Sequence, residues 1–219
     1  MNKYLAFVPL FLLAWPCWAQ TVEDTPASLS VRWLWRQYQD GAKRTQALPG
    51  PQLQLSVPIA SRLRLEAALD AGRGAGSSLS NVDLGVAYRL GDLDPTSQDP
   101  LNNLHLAMTW SMFNSSMTAP GTPLELRDEG LGLGVTRLAS PQEEFSYYYR
   151  LMVHPSLGAH SRNLLGAQAV LAEAGMSWRL DDRLLVELGY RYRSHKHNGA
   201  DDTRLSKEFG PALGFRVNF

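Results

Sequence analysis

From residue 28 onward the chain alternates apolar and polar side chains with a period of two. In LLVELGYRYR, Leu184, Val186, Leu188, Tyr190 and Tyr192 fall on one side, and Leu185, Glu187, Gly189, Arg191 and Arg193 on the other. That is a strand with one apolar face, because successive side chains of an extended backbone point in opposite directions. The same split predicts strands over about 28–38, 51–58, 63–72, 81–90, 103–113, 129–138, 145–154, 167–180, 183–193 and 206–219. Few stretches carry the 3.6-residue spacing of an amphipathic helix. Most of the strands are near the roughly 9–11 residues that a tilted strand needs to cross a hydrocarbon layer.

The two phases differ in chemistry as well as in polarity. One contains Val31, Trp33 and Trp35; Leu53, Leu55 and Val57; Leu63, Leu65 and Leu69; Leu84, Val86 and Tyr88; Leu131, Leu133 and Val135; and Leu213, Phe215, Val217 and Phe219, with no charge among them. The other contains Arg64, Glu66, Asp83, Arg150, Glu173, Arg179, Glu187, Arg191, Arg193 and Arg216, interleaved with glycine and alanine. Both signs mixed with small residues suit a narrow lumen in which Arg and Glu pair across the interior. These ten residues are the expected lumen charge network. In GLGLGV, residues 130–135, the glycines alternate within a strand instead of opening a helix, which excludes a phosphate-binding loop.

A soluble sandwich would alternate too, with its apolar face inside. The aromatic residues argue for lipid instead. Trp33, Trp35, Trp110, Tyr190 and Tyr192 cluster toward one set of strand ends, and Tyr88, Tyr147, Trp178 and Phe215 toward the other, as in the two aromatic girdles of a membrane barrel. The last strand, FGPALGFRVNF, ends on Phe219 with an apolar residue at every second position. It resembles the C-terminal strand of bacterial outer-membrane β-barrels. That resemblance implies an assembly signal at Phe215 and Phe219, read by the barrel assembly machinery.

The expected fold is therefore all-β: an antiparallel up-and-down transmembrane β-barrel of about ten strands, with eight as the alternative. Short inner turns are predicted at 58–62, 139–144 and Asp181–Asp182, with a longer one at 91–102, and outer loops at 39–50, 73–80, 114–128, 155–166 and 194–205. Composition only adjusts this picture, since 44% apolar residues and zero formal net charge would suit a soluble domain equally well. MNKYLAFVPLFLLAWPCWAQ changes it more. Lys3, an apolar core and the small residue Ala19 predict a signal peptide over 1–19, leaving a barrel domain over 20–219 in the bacterial outer membrane. Cleavage there would remove Cys17, the single cysteine, and with it any disulfide or thiolate site.

Candidate chemistry concentrates in GYRYRSHKHNGADD, residues 189–202. RYRSHKHNGA is similar to a run near the end of the outer-membrane lipid A deacylases, which use a histidine, serine and glutamate triad. The resemblance implies His195 as base, Glu208 as orienting acid and Asn198 at the family's asparagine. The nucleophile position falls on His197 instead of serine, so deacylation stands as an alternative, and a narrow channel for small solutes as a second one. A metal would need a ligand beyond His195, His197 and a loop aspartate, Asp201 or Asp202, so neither metal nor cofactor is expected. The favoured expectation is that Arg191 and Arg193 pair with Glu173, Glu187 and Glu208 inside the lumen. The role expected is structural, adhesive or surface-interacting, with outer-membrane lipids and lipopolysaccharide as partners. No nucleic-acid module is present in the sequence.

Overall fold

The computed structural model describes residues 26–40, 44–91, 101, 103–117, 124–159, 164–199 and 203–219. The expected signal peptide lies outside them, as do most of the 91–102 turn and the loop aspartates Asp201 and Asp202. The strands are β1 (Ser28–Leu34), β2 (Gln37–Gln39), β3 (Thr45–Ala47), β4 (Gly50–Ala60), β5 (Leu63–Gly74), β6 (Ser77–Arg89), β7 (Leu104–Met117), β8 (Leu124–Arg137), β9 (Phe145–Ala159), β10 (Leu164–Arg179), β11 (Leu184–Gly199) and β12 (Thr203–Asn218). Among the described residues no helix is long and apolar enough to cross a membrane, which says nothing about strands.

Pairing is antiparallel between neighbours in the chain, and β12 returns to pair with β1, from Ser28 opposite Asn218 to Leu34 opposite Ala212. Closure leaves no full-length sheet edge with unpaired backbone groups. β1 and β2 are two stretches of one barrel strand, and β3 and β4 two stretches of the next. Pairing runs through the breaks, since the Trp35 amide donates to the Pro211 carbonyl and the Leu48 amide to the Arg36 carbonyl. The barrel accordingly has ten strands, not eight.

The apolar phase faces outward. Leu131, Leu133, Tyr147, Val153, Tyr190 and Phe215 are each about half exposed or more, with Leu133 the furthest out at 61%. The polar phase faces inward and is buried, inverting the usual soluble arrangement. Val57 is the exception in its set at 3% exposed, next to the register shift at Pro58–Ala60 where β4 meets β5.

The strands are longer than alternation predicted. β7 to β12 run 14 to 16 residues, taking in much of what reads in the sequence as outer loops 114–128, 155–166 and 194–205. The reason lies on the outward face. Beyond Tyr192 it carries Ser194, Lys196 and Asn198, and beyond Leu131 it carries Glu129 and Arg127. Once both faces are polar the alternation signal vanishes, although the backbone ladder continues. The expected loop 73–80 is likewise a tight hairpin, Gly74 pairing with Ser77 around Ala75 and Gly76, both at positive φ (28° and 83°), the backbone a two-residue turn requires.

Among the described residues three apolar clusters interrupt the polar lumen, the smallest being Leu157, Ala167 and Ala169. Tyr38, Leu48, Leu79 and Phe113 pack together toward the end remote from the barrel's termini, and Ala87, Ala107, Met152 and Leu171 form a second group.

Candidate functional site in the barrel lumen

The lumen is filled in tiers, each built by inward positions of several strands. Nearest the termini, Glu187 on β11 accepts hydrogen bonds from Ser30 (2.5 Å) and pairs with Arg216 (2.6 Å). Arg32 on β1 crosses to Glu173 on β10 (2.6 Å) and donates to the Tyr148 hydroxyl (2.8 Å). Tyr148 lies over Gly175 and Gly189, where a Cβ would collide with its phenol. These glycines make room for a ring that caps the Arg32 guanidinium.

The middle tier is a cluster of carboxylates and guanidiniums. Asp70 pairs with Arg36 (2.7 Å) and Arg191 (2.8 Å), and its Oδ1 accepts from the Asn81 amide (2.9 Å). Glu208 lies 3.4 to 3.6 Å from Arg36, Arg191 and Arg193. Asp83 takes Arg193 at 3.1 Å, Arg150 at 3.8 Å and the Ser111 hydroxyl at 2.6 Å. Ser111 also meets His154 Nε2 at 2.8 Å. Opposite charges at these separations offset much of each other's desolvation, which a lone buried ion could not.

Of the residues expected in the charge network, Asp83, Arg150, Glu173, Glu187, Arg191, Arg193 and Arg216 are buried and share these pairs. Arg64 and Glu66 are buried at alternate positions of β5, with Arg64 donating to Ser56 Oγ and to the Pro26 carbonyl. Arg179 is a correction. It is exposed at the end of β10 and donates to the Gln142 carbonyl, because the inward phase has left the lumen by the last residue of that strand.

The outermost tier differs from the deacylase-like arrangement. His195 and His197 are both buried and inward, with parallel rings 5.9 Å apart. The carboxylate they meet is Asp128 on β8, 2.7 Å from His197 Nε2 and 3.5 Å from His195 Nδ1. Glu208 is engaged by arginines instead. Ser194, the neighbouring hydroxyl, occupies an outward position between two inward ones. Among the described residues, these side chains do not assemble a serine, histidine and carboxylate triad around His195.

No protein-family model matches the chain, and no curated protein matches it in sequence. Its fold does match solved structures. The outer-membrane protease OmpT of Escherichia coli superposes with a TM-score of 0.56 at 8% identity, over 91% of this chain and 98% of that one. Neisserial surface protein A gives a TM-score of 0.47 at 12% identity, over 88% and 97%. The transport unit of the Escherichia coli autotransporter AIDA-I gives 0.45 at 12%, over 91% and 92%. These neighbours are outer-membrane barrels, and at such identities the likeness concerns fold alone.

Three inward residues that organise the outer end escape a sequence reading. Asp128 sits in LRDEG and reads as part of a charged loop. Leu48 reads as loop as well, and Tyr38 lies at the margin of a predicted strand. A usable signal was available for one of them: Asp128 stands an odd number of residues from Leu131 and Leu133, on the inward phase extended backward.

Proposed function

We propose that the chain is a closed, side-chain-plugged barrel of the bacterial outer membrane, with a structural or surface-interacting role in place of solute passage. The observation that carries this is the packed lumen. Arg32, Arg36, Arg191 and Arg193 span the interior to acids on other strands, and Tyr38, Leu48, Leu79 and Phe113 pack above them. A solute would have to separate buried ion pairs, which costs several kcal/mol for each uncompensated charge.

The outward face supports the membrane assignment. Its half-exposed leucines, tryptophans and tyrosines match a lipid-facing band. Arg73, Arg127 and Lys196 are exposed on outward positions near the remote strand ends, where lipopolysaccharide phosphates would lie against them. The barrel assembly machinery and lipopolysaccharide are accordingly the partners proposed.

Planar-bilayer recording of the refolded full chain tests the reading. A quiet membrane is expected after insertion is verified by heat-modifiable gel migration. Discrete, reproducible conductance would favour the channel, and loss of an acyl chain from lipid A in overproducing cells would favour the hydrolase.

A further inference from the structure

The outermost tier contains a group of ligands that the plugged barrel does not require. Asp128, His195 and His197 each offer a donor atom, and those atoms all lie within 4.8 Å of one another. All three side chains are buried, with Asp128 at 0%, His197 at 1% and His195 at 3% exposed. Their hydrogen-bonding capacity is not used up. Among the described residues His195 Nε2 and Asp128 Oδ1 have no hydrogen-bond partner, and His195 Nδ1 has only the 3.5 Å approach of Asp128. Buried polar atoms left so are destabilising, and a bound cation would satisfy them.

We propose that Asp128, His195 and His197 form a binding site for a divalent transition-metal ion, zinc by preference, at the outer mouth of the barrel. Imidazole nitrogen with one carboxylate oxygen is a donor set suited to zinc, and three protein ligands leave a fourth position open. Asp128 and His195 border a small cavity that Ser111, Phe113, His154 and Leu157 also line. Ligands about 2.0–2.2 Å from one ion stand ~3.3 Å apart in tetrahedral geometry. The 3.5 Å from Asp128 to His195 is already close to that, and the 2.7 Å from Asp128 to His197 needs to open by less than an ångström. Arg193 also borders the cavity, but its charge is taken up by Asp83 and Glu208.

The backbone supports the site. His195 and His197 are alternate residues of β11, paired to β10 at Ala169 and Ala167, so both rings project inward from a fixed ladder. Phe113 lies against the His195 ring with centroids 4.0 Å apart. Asp128 comes from β8, two strands away from β10 around the wall. An ion held there ties non-adjacent strands together beside Phe113 of the apolar plug.

The untagged full chain, folded in detergent micelles and stripped with chelator, is titrated with Co²⁺ and then Zn²⁺. A Co²⁺ visible absorption band of low-coordinate type, saturating at one ion per chain and abolished by Zn²⁺, is expected. Zinc also raises the unfolding midpoint, because an ion bound only by the folded state stabilises it. Asp128→Ala and His197→Ala each weaken binding by roughly tenfold or more, since even changes behind a ligand cost about 10–100-fold. His105→Ala, a remote inward histidine bonded to the Asn103 carbonyl, leaves binding unchanged. No band and no zinc-dependent midpoint shift in the wild-type chain would overturn the proposal, whatever the variants do, and so would binding that survives in folded Asp128→Ala.

Discussion

At the scale of single residues, the lumen is decided by which charge has an alternative partner. Glu187 has Arg216 at 2.6 Å, Ser30 at 2.5 Å and Arg32 at 3.8 Å, and is itself fully enclosed. Glu187→Ala leaves the Arg216 guanidinium buried without its close carboxylate. Breaking a buried pair in this way costs about 3–5 kcal/mol, so the unfolding midpoint should fall by many degrees in heat-modifiable gel migration. Arg179→Ala also removes one charge, here a guanidinium at an exposed position whose partner is a carbonyl. There the expected change is within about 0.5 kcal/mol. Comparable losses from the two variants would mean that the lumen is wet and its charges solvated.

At the scale of elements, strand identity and strand extent are legible to different degrees. Alternation finds every barrel strand because lipid-facing and lumen-facing positions differ sharply, as Leu188 and Glu187 do on adjacent residues of β11. It loses the outer ends because Lys196 and His197 are both polar, and only the ladder to β10 and β12 shows that the strand continues. Asp128 was hidden for that reason. Glycines carry information of another kind: Gly175 reads as filler in the sequence, yet Tyr148 and the Leu188 carbonyl occupy the space a side chain would need. Gly175→Val should destabilise by about 1–3 kcal/mol through overpacking and displace the Tyr148 hydroxyl from Arg32, which tyrosine fluorescence and the unfolding midpoint together would register. The β10–β11 turn is held differently, by Asp181 Oδ1 accepting from the Arg183 and Leu184 amides at 2.8 Å each. Those two bonds favour the ionised carboxylate and hold its pKa below the usual range. A depressed pKa contributes stability above the unfolded-state value and loses it as pH falls through the folded one. The stability difference between wild type and Asp181→Ala should therefore be largest at neutral pH and shrink in strong acid. A difference independent of pH would assign the turn's stability to something other than that charge.

At the scale of the whole molecule, closure and filling act together. Closing the sheet satisfies the backbone, and the interior must then be filled largely by polar side chains, because most of the apolar ones are committed to the outer wall. Arginine fills it because one planar guanidinium can reach two acids on different strands, as Arg36 and Arg191 both do with Asp70 and Glu208. The plug of Tyr38, Leu48, Leu79 and Phe113 then separates this network from the outer mouth. A filled lumen and a water-filled one respond differently to salt. Charges in contact with electrolyte are screened over about 10 Å at 0.1 M and about 3 Å at 1 M, whereas enclosed pairs are screened far less. The unfolding midpoint of the barrel should consequently stay nearly constant as sodium chloride is raised across that range, while Phe113→Ala, which thins the plug beside His195, should make it more salt-sensitive. A midpoint that already drops steeply with salt in the wild-type chain would place electrolyte among the arginines, and with it a conducting path that the packed tiers do not allow.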